Sequence, residues 1–147
     1  MKYKLFILTT SLLFSMNVEN RTPHTTSATA ARNIAFADSV KLLIEKTNIA
    51  HPDIVYRQAE IETANFTSAI FRENNNLFGM RRAKARPHTQ TGENKGYAVY
   101  DSWRESIIDM ALWQSWNAKR LDRQAYIELL QEIYSIDTNY IQKLKIK

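Results

Sequence analysis

The chain has 147 residues and a mass of 17.1 kDa, with 44% hydrophobic and 24% charged residues; this suits one globular domain, excludes a wholly disordered chain and argues against a two-domain enzyme. There is no cysteine, and the three histidines are His24, His51 and His88, so disulfide frameworks, thiolate metal sites and cysteine nucleophiles are excluded and no metal site is expected. Twenty Lys and Arg against fifteen Asp and Glu give a net charge of +5, which favours a polyanionic partner without choosing among nucleic acid, anionic lipid and an acidic cell-wall polymer.

At the N-terminus, Lys2 and Lys4 precede the apolar run Leu5 to Phe14. A basic segment followed by a short apolar one has the form of an export signal, and the run is about half the roughly 20 residues a spanning helix needs. Residues 1–20 are therefore expected to be a signal peptide, with an uncleaved anchor as the lesser reading. No stable membrane span is expected once it is cut. Residues 21–37, rich in Asn, Thr, Ser and Ala with Pro23, read as a flexible spacer, and 38–147 as the folded domain.

From Asp38 the pattern turns helical, with Val40, Leu43, Ile44 and Thr47 on one stripe. A second helix opens at His51-Pro52-Asp53 and is expected to run to about Phe66, with proline and aspartate suited to a first turn. A third starts at Ser102, where Ser102-Trp103-Arg104-Glu105 has the form of a capping box, and continues through Ile107, Ile108, Ala111, Leu112 and Trp116. A fourth follows Asp122 with Ala125, Leu129, Leu130 and Ile133, and a last turn follows Asp137 with Tyr140 and Leu144.

Between the second and third helices lie all three glycines, Gly79, Gly92 and Gly96, together with Pro87. Gly92-Glu93-Asn94-Lys95-Gly96 is a turn candidate, and Gly96-Tyr97-Ala98-Val99-Tyr100 is strand-like. The fold class expected is therefore mainly α (α+β), a helical body interrupted by a small β-hairpin or irregular lobe. Residues 81–104 carry Arg81, Arg82, Lys84, Arg86, Lys95 and Arg104 against Glu93 and Asp101. Such a basic lobe has the charge of a ligand-facing surface.

The second helix holds the most informative residue. Ile54, Val55, Gln58, Ala59, Ile61, Asn65 and Phe66 define a mostly apolar face. Glu62 falls about 80° from Ile54, near the middle of that face, whereas Glu60 falls at about 240°, on the opposite side. A carboxyl on a buried face is costly unless it is paired or used. Desolvation would raise its pKa and suit it to donate a proton near neutral pH, while a salt bridge to an arginine is the plain structural alternative.

Gln58-Ala59-Glu60-Ile61-Glu62-Thr63-Ala64 resembles the Q-A-x-x-E-[ST]-[GA] helix of the glucosaminidase family of peptidoglycan hydrolases. Asn75-Asn76-Leu77-Phe78-Gly79 is similar to that family's N-N-L-F-G segment, and Tyr100-Asp101-Ser102-Trp103-Arg104-Glu105-Ser106 to its Y-x-S-x-x-E-S stretch. Tyr134-Ser135-Ile136-Asp137-Thr138-Asn139-Tyr140 is similar to its Y-A-x-D-x-x-Y, with Ser135 where alanine is common. The four matches occur in the family's order and cover about Asp38 to Leu144.

The resemblance implies a lysozyme-like fold and a peptidoglycan glycan strand as the partner, with no cofactor. It places Glu62 as the general acid, Asn76 and Phe78 at the floor of a sugar groove, and Tyr134 and Asp137 on its polar side. Phe78 could equally be core, Asn76 a turn cap, Tyr134 a packed ring and Asp137 a helix cap. Tyr97, Tyr100 and Trp103 are aromatic candidates for stacking on sugar faces, with helix packing as the alternative for Trp103, Trp113 and Trp116. Glu93 is the candidate second carboxylate, and attack by the substrate's own N-acetyl group is the alternative.

Cleavage between N-acetylglucosamine and N-acetylmuramic acid is the reading this favours. The alternate bond, as cut by a muramidase or lytic transglycosylase, and a non-catalytic glycan-binding module remain open. Nucleic-acid binding is disfavoured because no helix carries a Lys/Arg stripe. A monomer acting in the cell envelope or outside the cell is expected.

Overall fold

The structure is a computed structural model and describes residues 23–134 and 139–144. The expected signal peptide, residues 1–20, lies outside them. Among the described residues no helix is long and apolar enough to cross a membrane.

Helix α1 (Pro23–Lys46) begins with a proline, whose fixed φ and missing N–H suit a first turn. It starts inside the stretch expected to be a flexible spacer, a correction with a local cause. Ala28, Ala30 and Ala31 are strong helix formers, and the only proline stands at the helix start. Residues 27–35 are exposed throughout; burial sets in only with Phe36, and Val40 and Ile44 are fully enclosed, as the helical stripe predicts.

Helix α2 (Pro52–Glu62) runs between two apolar clusters. Val55 and Ala59 join Val40, Ile44, Leu77, Phe78, Ile107 and Met110 on one side. Ile54 joins Ala118, Tyr126, Leu130, Tyr140 and Leu144 on the other. The helix stops at Glu62, one turn short of the expected Phe66, because Ala64, Asn65 and Phe66 all take positive φ of 50°, 54° and 64°. Three consecutive left-handed residues without a glycine are costly. Thr63 holds them: its hydroxyl donates to Ala59 O (2.6 Å) and accepts from Phe66 N–H (2.8 Å), and its carbonyl accepts from Thr67 and Ser68 N–H.

Helix α3 (Ala69–Asn74), capped by Ser68 at Phe71 N–H, was not legible in the sequence. Strands β1 (Gly92–Asn94) and β2 (Tyr97–Val99) then form an antiparallel hairpin, with Glu93 opposite Ala98. Helix α4 (Trp103–Asn117) starts after Ser102, but the capping box is not formed; Glu105 N–H bonds to the Ser102 carbonyl, not its side chain.

The buried face of α4 is Ser106, Ile107, Asp109, Met110 and Gln114, while Ile108 and Trp116 face outward, 41% and 60% exposed. Three of these inward positions are polar side chains bonded to other elements. Helix α5 (Arg123–Leu129) starts after Asp122 as expected and is capped by it, Asp122 accepting from Ala125 N–H (2.9 Å). It passes into a π-helical turn (Leu130–Tyr134), and α6 (Tyr140–Leu144) buries Tyr140 and Leu144. The result is the expected mainly α (α+β) architecture, a helical body with a two-stranded lobe.

Candidate active site

Glu62 is the last residue of α2, half-buried, at the negative end of the helix. Burial is the main cause that raises its pKa to about 7; a hydrogen bond from the Tyr140 hydroxyl and the charge of Lys143 offset part of that rise. Tyr140 and Lys143 sit one turn apart on α6, so one short helix brings both a donor and a cation to the carboxyl. The carboxylate in turn raises the pKa of the already buried Tyr140 phenol. Glu60, two residues earlier, pairs with Arg57 in the same helix. The salt bridge considered as the alternative for Glu62 belongs to its neighbour instead.

Beside Glu62 runs the Asn75–Met80 segment. Gly79 has φ +61°, and a Cβ built on it would come within 3.0 Å of Glu62 Oε2. Any larger residue would need both a strained backbone and a displaced carboxyl. Asn76 fixes this bend from behind: its amide donates to Met80 O (2.8 Å) and Ala98 O (3.0 Å) and accepts from Phe78 and Met80 N–H. Asn76 is 2% and Phe78 1% exposed. Neither can touch a sugar directly, so the expected groove floor is corrected: they support the wall that carries Gly79.

The lobe is fastened by a carboxylate that the sequence did not single out. Asp109 is completely buried and accepts from Arg86 Nη1 (2.6 Å) and Nη2 (3.0 Å), Gln90 Nε2 (2.8 Å) and the Tyr100 hydroxyl (2.7 Å). Burial alone would raise its pKa, but these four donors outweigh it and hold the carboxyl below its ordinary range. Tyr100 is therefore a structural ring, 1% exposed, and not a sugar platform. Asp109 could have been found by the signal that picked out Glu62, an acid i+3 from Ser106 on an inward helical stripe.

Several lobe cations are likewise committed. Arg86 is held by Asp109, Lys95 pairs with Glu73 (2.7 Å), and Arg104 lies over the Trp103 ring (4.4 Å). Trp103 also packs edge-on against Phe36 (5.4 Å). Arg81 lies over Tyr97 (5.5 Å), which is half-buried, while Arg82 and Lys84 are exposed.

Glu93 is exposed on β1. Ala98 N–H bonds to Met80 O (2.9 Å), so β2 stands between Glu93 and the segment that touches Glu62. Two strand spacings put the Glu93 backbone about 10 Å from that segment. Tyr134 closes the π-helical turn, and Asp137 lies outside the described residues. Among the described residues no three His, Cys, Asp or Glu side chains gather as metal ligands.

A family model described as mannosyl-glycoprotein endo-beta-N-acetylglucosaminidase matches residues 37–146. Protein bax of Escherichia coli (strain K12) is 38% identical over 65 residues, covering 44% of this chain and 24% of that protein. The chain thus spans about a quarter of the length of this curated relative. Among solved structures, the catalytic domain of the autolysin Auto from Listeria monocytogenes matches with a TM-score of 0.51 and 20% identity, over 87% of this chain and 93% of that one. At that identity the likeness is one of fold.

Proposed function

The chain belongs to the glucosaminidase family, and on that premise we propose that it is an exported peptidoglycan hydrolase in which Glu62 protonates the glycosidic oxygen as the bond to the anomeric carbon breaks. The observation that carries this reading is the state of Glu62. It is a half-buried carboxyl with a pKa raised to about 7, set against a glycine that leaves its oxygen uncovered by any side chain at position 79. An acid of that strength is still about half protonated at neutral pH and yet gives its proton readily to a developing alkoxide.

The bond proposed is the one between N-acetylglucosamine and N-acetylmuramic acid. Glu93 is the proposed second carboxylate. Its place on the outer strand of the hairpin favours a role as base toward a water molecule, for which carboxyl groups stand roughly 6.5–9.5 Å apart, over direct attack at about 5–5.5 Å. Tyr97, with Arg81 on its ring, and Tyr134 and Asp137 are proposed sugar contacts. The basic surface of the lobe suits a strand that bears peptide carboxylates. Action is proposed in the cell envelope or outside the cell, by a monomer.

A cell-wall zymogram of the wild-type chain and Glu62→Gln tests the reading. The wild type is expected to clear and the variant not to. Normal clearing by Glu62→Gln removes Glu62 as the acid. Mass spectrometry of the fragments then assigns the bond, since N-acetylglucosamine at the new reducing end marks a glucosaminidase and N-acetylmuramic acid, free or anhydro, marks the alternate cut.

A further inference from the structure

Four polar side chains connect α4 to Glu62 through the core, and the chemistry of their ends sets the direction of every proton between them. Gln114 on α4 faces the backbone of Ala50: Ala50 N–H donates to its Oε1 (2.8 Å), and its Nε2 donates to Ala50 O (2.9 Å). A backbone N–H can only donate and a carbonyl can only accept, so Ala50 fixes which way this amide faces. The other Nε2 hydrogen goes to the Tyr126 oxygen (2.9 Å). Tyr126 then gives its own proton to Gln58 Oε1 (3.4 Å).

That contact orients the Gln58 amide, whose Nε2 donates to the Tyr140 oxygen (3.4 Å). The Tyr140 hydroxyl in turn donates to the Glu62 carboxyl. Gln58 and Tyr126 are wholly buried, and Tyr140 and Gln114 are 4% and 5% exposed, so solvent is kept from the links. The His51 ring, stacked on Tyr126 at 5.1 Å and tied to Leu121 O at 3.2 Å, keeps the middle of the chain in place.

We propose that Gln114, Tyr126 and Gln58 are positioning residues for the acid: anchored on the Ala50 backbone, they order the hydrogen bonds in one direction and commit Tyr140 to donate to Glu62 instead of accepting from it. The proposal rests on the reading of Glu62 as the proton donor. Its chemical consequence is directional. With one carboxyl oxygen engaged by the Tyr140 proton, the proton that Glu62 gives away sits on the other oxygen. If the order is lost, Tyr140 can accept from protonated Glu62, which favours the neutral carboxyl and turns its proton away from the glycosidic oxygen. The other groups around the carboxyl keep their places in such a change: Lys143 on α6 still faces it, and Glu60 on α2 stays with Arg57.

The test is Tyr126→Phe, which removes one hydroxyl three links from Glu62 and keeps the ring. Glutamate carboxyl carbons are labelled with ¹³C, and the Glu62 resonance, identified by its loss in Glu62→Gln, is followed by NMR against pH. The measurement needs no substrate. The expected result is an upward shift in the Glu62 midpoint of at least about half a unit, roughly threefold in proton affinity, with the fold intact by circular dichroism. Gln58→Met, which cuts the chain one link closer, is expected to shift it at least as far and serves if Tyr126→Phe does not fold. An unchanged midpoint in either folded variant overturns the proposal. A shifted midpoint in a protein that never clears cell wall leaves the ordered chain standing and removes the hydrolase reading instead. With activity present, kcat is expected to fall several-fold in the variants while KM holds, and a change in KM alone counts against the proposal.

Discussion

Glu62 Oε2 lies against the Cα of Gly79, so close that a methyl group there would stand 3.0 Å from the carboxyl oxygen. The acid comes from the end of a helix and the glycine from a bend held by Asn76, so two separately built elements meet at one atom.

Gly79→Ala should therefore damage activity more than stability. The left-handed φ of +61° costs a Cβ-bearing residue about 1–2 kcal/mol. The new methyl also displaces the carboxyl, and a misplacement of about 1 Å can cost roughly 100-fold in rate. The expected outcome is a folded protein with a modestly lower Tm and a kcat at least tenfold below wild type, read by circular dichroism and turbidity loss of cell walls.

The pH dependence follows from the raised pKa of Glu62. On the proposed role as general acid the protonated form is the active one, so kcat/KM should fall as pH rises through about 7. For stability the sign is the opposite of the usual carboxylate case. A carboxyl that binds its proton more tightly when folded makes the fold less stable as pH rises from its ordinary 4.5 to about 7. Glu62→Gln should accordingly raise Tm at pH 8 and do so less at pH 5, measured by calorimetry at both pH values.

Removal of Arg86 should loosen the lobe. Arg86→Met leaves the Asp109 carboxylate buried with Gln90 and Tyr100 as its donors, a loss that breaking a buried pair puts at about 3–5 kcal/mol. Because the folded protein holds Asp109 below its ordinary range, its stabilisation is present above pH 3.8 and lost as pH falls through the lowered value. Urea unfolding of the variant and an acid titration of the wild type check the two statements.

Ala64→Gly should stabilise the protein or leave it unchanged, although glycine in a helix would weaken it. Ala64 has φ 50° just beyond α2, where glycine avoids a cost of about 1 kcal/mol. A fall in Tm of several degrees would show that the left-handed turn is not formed.

Glu93→Gln separates the two routes to the anomeric carbon. A loss of kcat of two or more orders of magnitude, with the fold kept, is expected for a catalytic base. A rate near wild type would favour attack by the substrate's N-acetyl group.

Much of this was legible in the chain. The α2 stripe and its misplaced acid needed only helical periodicity, because the side chains of one helix face share one environment whatever packs against them. Turn residues likewise announced the hairpin. Reading failed where the inward face was polar: on α4, Ser106, Asp109 and Gln114 point inward, and Ile108 and Trp116 outward. A polar residue can be buried only if a partner waits for it, and those partners (Leu77 N–H, Arg86, Tyr100, Ala50 and Tyr126) lie outside this helix, 9 to 64 residues away.

The same limit divides the site. Local sequence determined that residue 62 is an acid on the inward face of an amphipathic helix and that residue 79 can turn left-handed. Tertiary structure alone decided that the two touch, that Tyr140 and Lys143 come to the carboxyl from the other end of the domain, and that Tyr100 is spent on Asp109. Backbone preference and periodicity act over a few residues, whereas desolvation and hydrogen-bond pairing depend on which distant segments the fold brings together.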